Sequence, residues 1–155
     1  MYHETLEFVS LFFAGVLAGE ELVVCYGVRA PVASLAAAPH IQLRQAMVRR
    51  LRVLVPVMFV STAVSAAAVA ALEGAAPGLG FRCAGVAALL TWILVTLFGT
   101  VPINEAVLSW QPNAPPKDWR ARVRRWGALD TVRCWAAVIA FACFLTAAAL
   151  RMSGI

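Results

Sequence analysis

The chain has 155 residues, of which 62% are hydrophobic, and its formal net charge is +5. A mean hydropathy of +0.81 excludes a water-soluble globular domain. Because the arginines flank apolar stretches, the positive charge indicates anionic lipid headgroups as the partner of the basic residues, and no nucleic acid.

Four stretches of the chain are nearly free of charge and long enough to cross a bilayer. A membrane helix needs about 20 predominantly apolar residues, and the stretches cover residues 8–28, 51–72, 84–103 and 132–150. Together with their connections they use the whole chain. We therefore expect a single four-span transmembrane domain over residues 1–155, folded as an all-α bundle with up-down-up-down topology.

Prolines, glycines and tryptophans mark the predicted ends of these spans. We expect Pro31 to stop the first span and Pro102 to end the third, while Pro56 lies near the start of the second as a kink. The glycine-rich residues 73–82 predict a short turn between the second and third spans. Residues 118–126 predict a short amphipathic segment in the membrane interface before the fourth span.

The positive charge is concentrated in two connections and predicts the orientation of the chain. Eleven of the thirteen basic residues lie in residues 29–52 and 117–133, the first and third connections. Loops rich in Lys and Arg stay in the cytoplasm, and a four-span chain puts these two connections on the same side. We expect cytoplasmic basic loops and both termini outside, in a membrane such as the bacterial inner membrane.

Two adjacent carboxylates lie inside the first span. Glu20 and Glu21 sit about two thirds of the way along it, where an ionised carboxylate costs about 2.5 kcal/mol or more unless it is paired or faces a cavity. Adjacent helix positions point about 100° apart, so at most one of the two can aim squarely into the bundle. Glu20 is the candidate for that position, and Glu21 could instead reach the cytoplasmic headgroups.

The predicted topology brings further polar residues to the depth of these carboxylates. The group has seven members near the cytoplasmic face, and we expect no comparable set in the outer half: Glu20, Glu21, His40, Arg44, Asn104, Asp130 and Arg133. One polar end on an otherwise dry bundle predicts a pocket that opens inward. A salt bridge from Glu20 to Arg133 or Arg44 is the purely structural alternative.

Glu20, His40 and Asp130 are also candidates for a metal site. Two carboxylates and an imidazole suit iron, manganese or zinc, although the sequence lacks the Glu-x-x-His pairs of di-iron bundles. The four cysteines lie in or beside the spans without a Cys-x-x-Cys pair, and we expect them to behave as small buried hydrophobes. A non-haem metal ion and a site without any cofactor both remain open.

Four motifs, one for each helix, resemble those of the anthrone-oxygenase-like family of small four-helix membrane proteins. The motifs are Gly15-Val-Leu-Ala-Gly19-Glu20-Glu21, Pro39-His40-Ile-Gln-Leu-Arg44-Gln45, Val101-Pro102-Ile103-Asn104 followed by Trp110, and Trp126-x-x-x-Asp130-x-x-Arg133. The resemblance covers nearly the whole chain. Many members of the family have His where this chain has Asp130, so the chain departs from the family pattern at one candidate site residue.

The resemblance implies an oxygenase-like enzyme that oxidises a flat, apolar phenolic or anthrone-type substrate, of the kind found in polyketide chemistry, with dioxygen. It implies Glu20 as the base, Asn104 and Arg133 as the groups that bind the developing oxyanion, and His40 and Asp130 as a proton relay. Substrate contacts are expected from a second set: Arg44, Glu21, Trp110 and Trp126. A cofactor-free reaction and a metal-dependent one would use the same residues.

A non-enzymatic function is the alternative. The same pocket would bind a lipid, a quinone or a metal ion, or the chain would be a subunit of a larger membrane complex. Gly15 and Gly19 have the spacing of close helix contacts, which would serve either a homo-oligomer or packing within the bundle.

Overall fold

The structure is a computed structural model that describes residues 2–73 and 77–153. Four long helices run through this part of the chain. Helix α1 comprises Tyr2–Leu22, a π-helical segment Val23–Val28 and Arg29–Ala33, and helix α2 comprises Ala37–Glu73. Helix α3 comprises Leu79–Val95, a π-helical segment Thr96–Thr100 and Val101–Ser109, and helix α4 comprises Trp119–Ser153.

All four helices are long and apolar enough to cross a membrane. The prediction of an all-α integral membrane four-helix bundle is therefore confirmed. Helix α4 packs along both α1 and α3, and α1 also packs along α2, whereas α2 and α3 approach each other much less closely. The loose seam between α2 and α3 leaves room for a cavity.

The helices extend beyond the predicted spans, and two predicted helix ends are wrong. Pro31 and Pro102 each follow a π-helical segment, and each lies at the start of a new α-helical stretch. Proline is tolerated in the first turn of a helix, so α1 continues to Ala33 and α3 to Ser109. The separate interfacial segment predicted at residues 118–126 is likewise wrong, because these residues from Trp119 onward are the first turns of α4.

Small residues allow α4 to approach its neighbours closely. A Cβ atom added to Gly85 of α3 would lie 2.5 Å from the ring of Phe144 on α4, and one added to Gly15 of α1 would lie 3.3 Å from Phe141. Gly19 has no such neighbour within 4 Å. Gly15 therefore serves packing within the bundle. The outside of the bundle carries large apolar side chains such as Phe8 and Phe98, as a lipid-facing surface requires.

Gly78 forms the turn before α3. Its φ of +89° lies in the left-handed region, and a Cβ atom there would lie 2.9 Å from the Cα of Ala147. Glycine is therefore needed both for the backbone conformation and for the close approach to α4. Pro77 and Gly78 confirm part of the predicted turn, whereas residues 79–82 already belong to α3 and residue 73 still belongs to α2, so the turn is shorter than predicted. Its residues 74–76 lie outside the described residues.

The end of the bundle where α1 begins and α4 ends has its own charged side chains in the interior. Arg151 of α4 donates a hydrogen bond to the carboxylate of Glu7 on α1, and Arg82 at the start of α3 is buried nearby, beside a small pocket that Glu7 also lines. The expectation of an outer half without a comparable polar set is therefore wrong. These charges lie near the ends of different helices, so only the assembled bundle brings them together.

Candidate functional site

A cavity of about 750 Å³ opens between the four helices at the end of the bundle where the basic residues are concentrated. Small-molecule sites in proteins commonly have volumes of about 300–1,000 Å³. The wall is mostly apolar, and the polar side chains on it come from all four helices. The cavity therefore combines room for a flat molecule with a limited number of groups that could orient it.

Eight of the nine predicted site residues line this cavity. They are Glu20, Glu21, His40, Arg44, Asn104, Trp126, Asp130 and Arg133. Trp110, expected to contact substrate, lies elsewhere. It is buried with Ile41, Val107 and Trp119 in a second apolar cluster.

The position of Trp110 follows from how α3 ends. Gln45 of α2 is buried and donates hydrogen bonds of 3.0 Å to the carbonyl of Val107 and 2.9 Å to the carbonyl of Trp110. These carbonyls would otherwise lack partners at the helix end. The side chain of Gln45 thus fixes the exit of the chain from α3 and places Trp110 against α2 instead of in the cavity.

Glu21, and not Glu20, is the carboxylate paired with Arg133. The guanidinium of Arg133 donates to Glu21 Oε1, and Trp92 Nε1 donates to the same oxygen at 2.8 Å. Glu21 is 1% exposed. The expectation that Glu21 could reach the cytoplasmic headgroups is therefore wrong, as is the suggested salt bridge from Glu20 to Arg133.

Aromatic rings and hydroxyls complete the surroundings of this pair. The guanidinium carbon of Arg133 lies 4.7 Å from the centre of the Trp92 ring, on which Phe59 stacks at a centroid distance of 4.7 Å. Arg133 Nη1 also donates to Thr100 Oγ1 at 3.4 Å. One carboxylate, one hydroxyl and one ring face surround Arg133, and these groups compensate its positive charge within the protein.

Glu20 lies beside this network without joining it. Its side chain lines the cavity, and its Oε2 atom is buried with no hydrogen-bond partner. No basic side chain in the described residues lies within the 4.0 Å of an ion pair with Glu20. Of the two adjacent carboxylates, one is therefore bound by Arg133 and Trp92, and the other is free to act on a ligand.

A second group of contacts joins α1 to α4 around Arg29. Arg29 Nη1 donates to Thr131 Oγ1 at 2.7 Å and to Cys25 Sγ at 3.2 Å, and it lies 3.8 Å from Asp130 Oδ2. The guanidinium passes close to Gly127, where a Cβ atom would lie 3.0 Å from Arg29 Nη2. Only the absence of a side chain at Gly127 leaves room for the Arg29 guanidinium. At 3.8 Å, the ion pair with Arg29 is too long for a hydrogen bond, and Asp130 Oδ2 has no hydrogen-bond partner among the described residues.

Two further site residues are held by aromatic rings of α4. The guanidinium carbon of Arg44 lies 4.0 Å from the centre of the Trp126 ring. The ring of His40 meets that of Trp119 edge-on, with the centroids 5.1 Å apart. Ring contacts hold both side chains in place without occupying His40 Nε2 or the Nε and Nη2 atoms of Arg44, which have no hydrogen-bond partner.

Both π-helical segments border the cavity. Val24 and Val28 of the first segment line it, as do Thr96 and Thr100 of the second. A π-helical turn adds a residue to the helical repeat and is frequent at functional sites. Because of the added residue, the α-helical stretch after each π-helical segment turns a different face toward the cavity from the stretch before it.

The sequence model of the family described as anthrone oxygenase matches residues 45–143, more than half of the chain. The chain belongs to the anthrone oxygenase family. Neither a curated protein nor a solved structure matches it. The matched part of this anthrone oxygenase family member includes Asn104, Asp130 and Arg133 and begins after Glu20 and Arg44, so the structure alone joins α1 to the site.

The candidate ligands of a metal ion do not come together in this family member. In the residues that the structure describes, no three side chains of His, Cys, Asp or Glu are grouped so that they could hold a metal ion. Asp130 is engaged with Arg29, and Glu20 and His40 lie on different helices of the cavity wall. The set of Glu20, His40 and Asp130 therefore does not fit a metal centre.

Several residues of the site were not among the predicted ones. Trp92 is one of them, and it is the second donor to Glu21. Arg29 was counted with the charges that set the topology, and it contacts Asp130. One signal was available in the sequence, because Thr96 and Thr100 are four residues apart and so share a helix face with Trp92. Nothing in the sequence alone indicated the role of Arg29.

Proposed function

We propose that this protein is a membrane oxygenase that oxidises a flat, apolar phenolic or anthrone-type substrate with dioxygen inside the cavity. Membership of the anthrone oxygenase family supports the reaction class. The observation that carries the proposal is the position of Glu20 on the cavity wall, where its buried Oε2 atom has no hydrogen-bond partner among the described residues. A carboxylate in this position is available to accept a proton from a ligand.

The different contacts of Glu20 and Glu21 support the role of Glu20 as the proton acceptor. Glu21 is held by Arg133 and Trp92 and is not available as a base without breaking both contacts. Glu20 is adjacent to this ion pair in the chain, and its Oε2 atom has no hydrogen-bond partner among the described residues. We infer that Glu21 and Arg133 form the rigid support of the site and that Glu20 performs the proton transfer.

Asn104 and Arg133 are proposed to stabilise the negative charge that develops on the substrate oxygen. Both line the cavity, and Nε of Arg133 is a buried donor without a hydrogen-bond partner in the described part of the chain. The amide of an Asn side chain offers two donors, and the guanidinium offers a charged one. Donors held in a water-poor cavity stabilise a developing oxyanion strongly.

The reaction balances without an external reductant. Glu20 removes a proton from the ring-flanked CH2 group, and the resulting carbanion passes one electron to dioxygen. The radical pair combines to a peroxide, which takes up a proton and loses water to leave a ketone. One CH2 group and one O2 thus become one C=O group and one H2O. His40 and Asp130 are proposed to exchange protons between Glu20 and the cytoplasmic side.

The substrate is proposed to reach the cavity from the lipid through the seam between α2 and α3. Pro56, Val60 and Leu97 line the cavity, and Val60 and Leu97 are also about half exposed on the outside of the bundle, at 55% and 52%. An apolar substrate and dioxygen both dissolve in the bilayer. A lateral opening at this seam would deliver them without passage through water. The orientation with basic loops in the cytoplasm, as in a bacterial inner membrane, is part of the proposal.

Oxygen uptake by the purified protein tests the proposal. The protein in a neutral detergent is mixed with anthrone, with a naphthoquinol and with simple phenols, and oxygen consumption is recorded with an electrode. The proposal predicts uptake of one O2 for each anthrone converted to anthraquinone, at a rate above that of the buffer. Tight binding of these compounds without oxygen uptake would instead assign the cavity to a binding function.

A further inference from the structure

Arg44 is a buried cation that forms no ion pair with any carboxylate in the described part of the chain. Its side chain is 8% exposed, and it makes no hydrogen bond and no ion pair within 4.0 Å in the part of the chain that the structure describes. Its Nε and Nη2 atoms are buried without a hydrogen-bond partner. Asp130 is near enough for its charge to act on Arg44, but its ion pair is with Arg29.

Arg133 provides the comparison within the same cavity. Both arginines line the cavity, and both lie over the ring of a tryptophan, Trp92 for Arg133 and Trp126 for Arg44. Arg133 has the carboxylate of Glu21 in addition. Contact with a ring face stabilises a cation only modestly, whereas a buried charge needs both a counter-charge and hydrogen bonds. Arg44 therefore has the ring contact that Arg133 has, but it lacks the carboxylate partner.

The unused atoms of Arg44 form one edge of the guanidinium. Nε and Nη2 carry adjacent, nearly parallel N–H groups, and this spacing matches the two oxygens of a carboxylate. The contact with Trp126 is made through the guanidinium carbon, 4.0 Å from the ring centre, and the Nε and Nη2 atoms have no hydrogen-bond partner. A carboxylate in the cavity could thus be bound by two parallel hydrogen bonds, as an internal carboxylate would be.

Two more unpaired polar atoms belong to the same part of the cavity. Trp126 Nε1 and His40 Nε2 are buried without a hydrogen-bond partner, and both residues line the cavity wall with Arg44. The indole N–H is a donor only, so it too is suited to an acceptor oxygen. Next to them the wall is apolar, with Met47, Leu51 and Val123 among its members.

We infer that the substrate of this cavity is an aromatic carboxylic acid whose carboxylate binds the free edge of Arg44 while its ring system lies on the apolar wall. The inference rests on the proposed function in taking the cavity as the substrate site. It adds that the substrate is an anion and that Arg44 is the residue that selects it. The carboxylate lies toward the basic end of the bundle, and the ring reaches toward Glu20.

Binding measured without oxygen tests this inference separately from catalysis. The probes are 6-hydroxy-2-naphthoate and its methyl ester, which share the ring system and differ in charge. Their dissociation constants are determined anaerobically by quenching of tryptophan fluorescence, in a neutral detergent, for the natural sequence and for Arg44→Gln, Arg44→Lys and Arg124→Gln. Arg124 is the matched control, because it also lines the cavity but has an exposed side chain.

The natural protein is expected to bind the acid about tenfold or more tightly than the ester, since a charge-assisted hydrogen bond contributes about 1.5–3 kcal/mol. Arg44→Gln should remove this preference and leave the affinity for the ester unchanged. Arg44→Lys should lose most of it, because an ammonium lacks the two-donor edge. Arg124→Gln should keep it. If Arg44→Gln does not fold, the loss in Arg44→Lys decides the question.

Three results would overturn the inference. The first is equal binding of acid and ester, or a preference that survives both changes at Arg44. The second is an equal loss in Arg124→Gln, which would indicate general attraction by the basic end of the bundle. The third is removal of the preference by equimolar dihexanoyl-phosphatidylglycerol, which would assign Arg44 to a lipid phosphate. A protein that consumes oxygen with neutral anthrones and shows any of these results keeps the proposed function and loses the anionic substrate.

Discussion

The guanidinium of Arg133 on α4 donates to the carboxylate of Glu21 on α1, and both groups are enclosed by the bundle. The two residues are 112 positions apart in the chain. The pair joins the first and last helices, and both residues line the cavity. Its ring and hydroxyl neighbours mean that neither charge depends on solvent.

Removal of one member of this pair should be more harmful than removal of both. Glu21→Gln or Arg133→Met leaves a buried charge without its partner, and each should lower the free energy of unfolding by about 3–5 kcal/mol. Glu21→Leu combined with Arg133→Met replaces the pair by apolar groups and should recover most of that loss. The measurement is unfolding in mixed micelles followed by circular dichroism.

The exposed pair of Asp118 and Arg122 is the matched control. The carboxylate of Asp118 accepts a hydrogen bond of 2.7 Å from Arg122 Nε, which lowers the pKa of Asp118, but both side chains are about half exposed. Surface pairs contribute little to stability because water and salt screen them, so Asp118→Asn should leave the unfolding curve unchanged. A small effect of both single changes at the buried pair would mean that water reaches it.

Gly85 should tolerate no side chain. Because a Cβ atom there would lie 2.5 Å from the ring of Phe144, Gly85→Ala must displace that ring and should cost about 1–3 kcal/mol of stability. Gly80, near the start of the same helix, has nothing within 4 Å of the added atom. Gly80→Ala is therefore the control and should be neutral or slightly stabilising. Equal unfolding curves for the two variants would contradict the close packing of α3 on α4.

The sequence was sufficient for the architecture because hydropathy and charge act over whole segments. The apolar stretches identify four helices, and the basic residues near Arg44 and Arg124 indicate which ends lie together. The ends of the helices were less predictable. In the sequence, Pro31 and Pro102 indicate helix ends. In the structure, a π-helical segment precedes each proline, which then lies in the first turn of an α-helical stretch, where no N–H donor is needed.

The site could be predicted as a set of residues but not as a set of contacts. Depth in the membrane follows from sequence position, and it brings Glu20, Asn104 and Asp130 to one level. The choice of Glu21 over Glu20 as the partner of Arg133 depends on the rotation of α1 about its axis. No pattern in a single sequence gives that rotation when the two candidates are adjacent. Trp110 was misplaced for a related reason, since its position depends on the contact with Gln45.

The orientation of the chain can be tested with a native cysteine. Cys83 is exposed near the start of α3, whereas Cys25 and Cys134 are buried. If the termini and this turn lie outside, a membrane-impermeant maleimide should label Cys83 in intact cells. Asp118→Cys, introduced into Cys83→Ser, should be labelled only after the cells are permeabilised. The reverse pattern would place the basic loops outside and contradict the proposed orientation.

Access through the seam between α2 and α3 can be narrowed without touching the polar residues. Leu97→Trp adds bulk to a residue that both lines the cavity and is exposed on the outside. It should slow the association of an apolar probe such as 2-naphthol several-fold in stopped-flow fluorescence, with little change in stability. Leu94→Trp is the control, because Leu94 is equally exposed on α3 but does not line the cavity. Equal association rates in the two variants would argue for access from the cytoplasmic side.

The most direct test of the account is the oxygen consumption of Glu20→Gln with anthrone as substrate. This change removes the proton acceptor with little change of shape, and loss of a general base typically lowers a rate by about 10²–10⁴-fold. Glu105→Gln alters an exposed carboxylate on the same cavity and should keep nearly full activity. The account predicts a folded Glu20→Gln variant that still binds 2-naphthol but consumes oxygen at least 100-fold more slowly. Turnover by that variant at the rate of the natural protein would contradict the central claim.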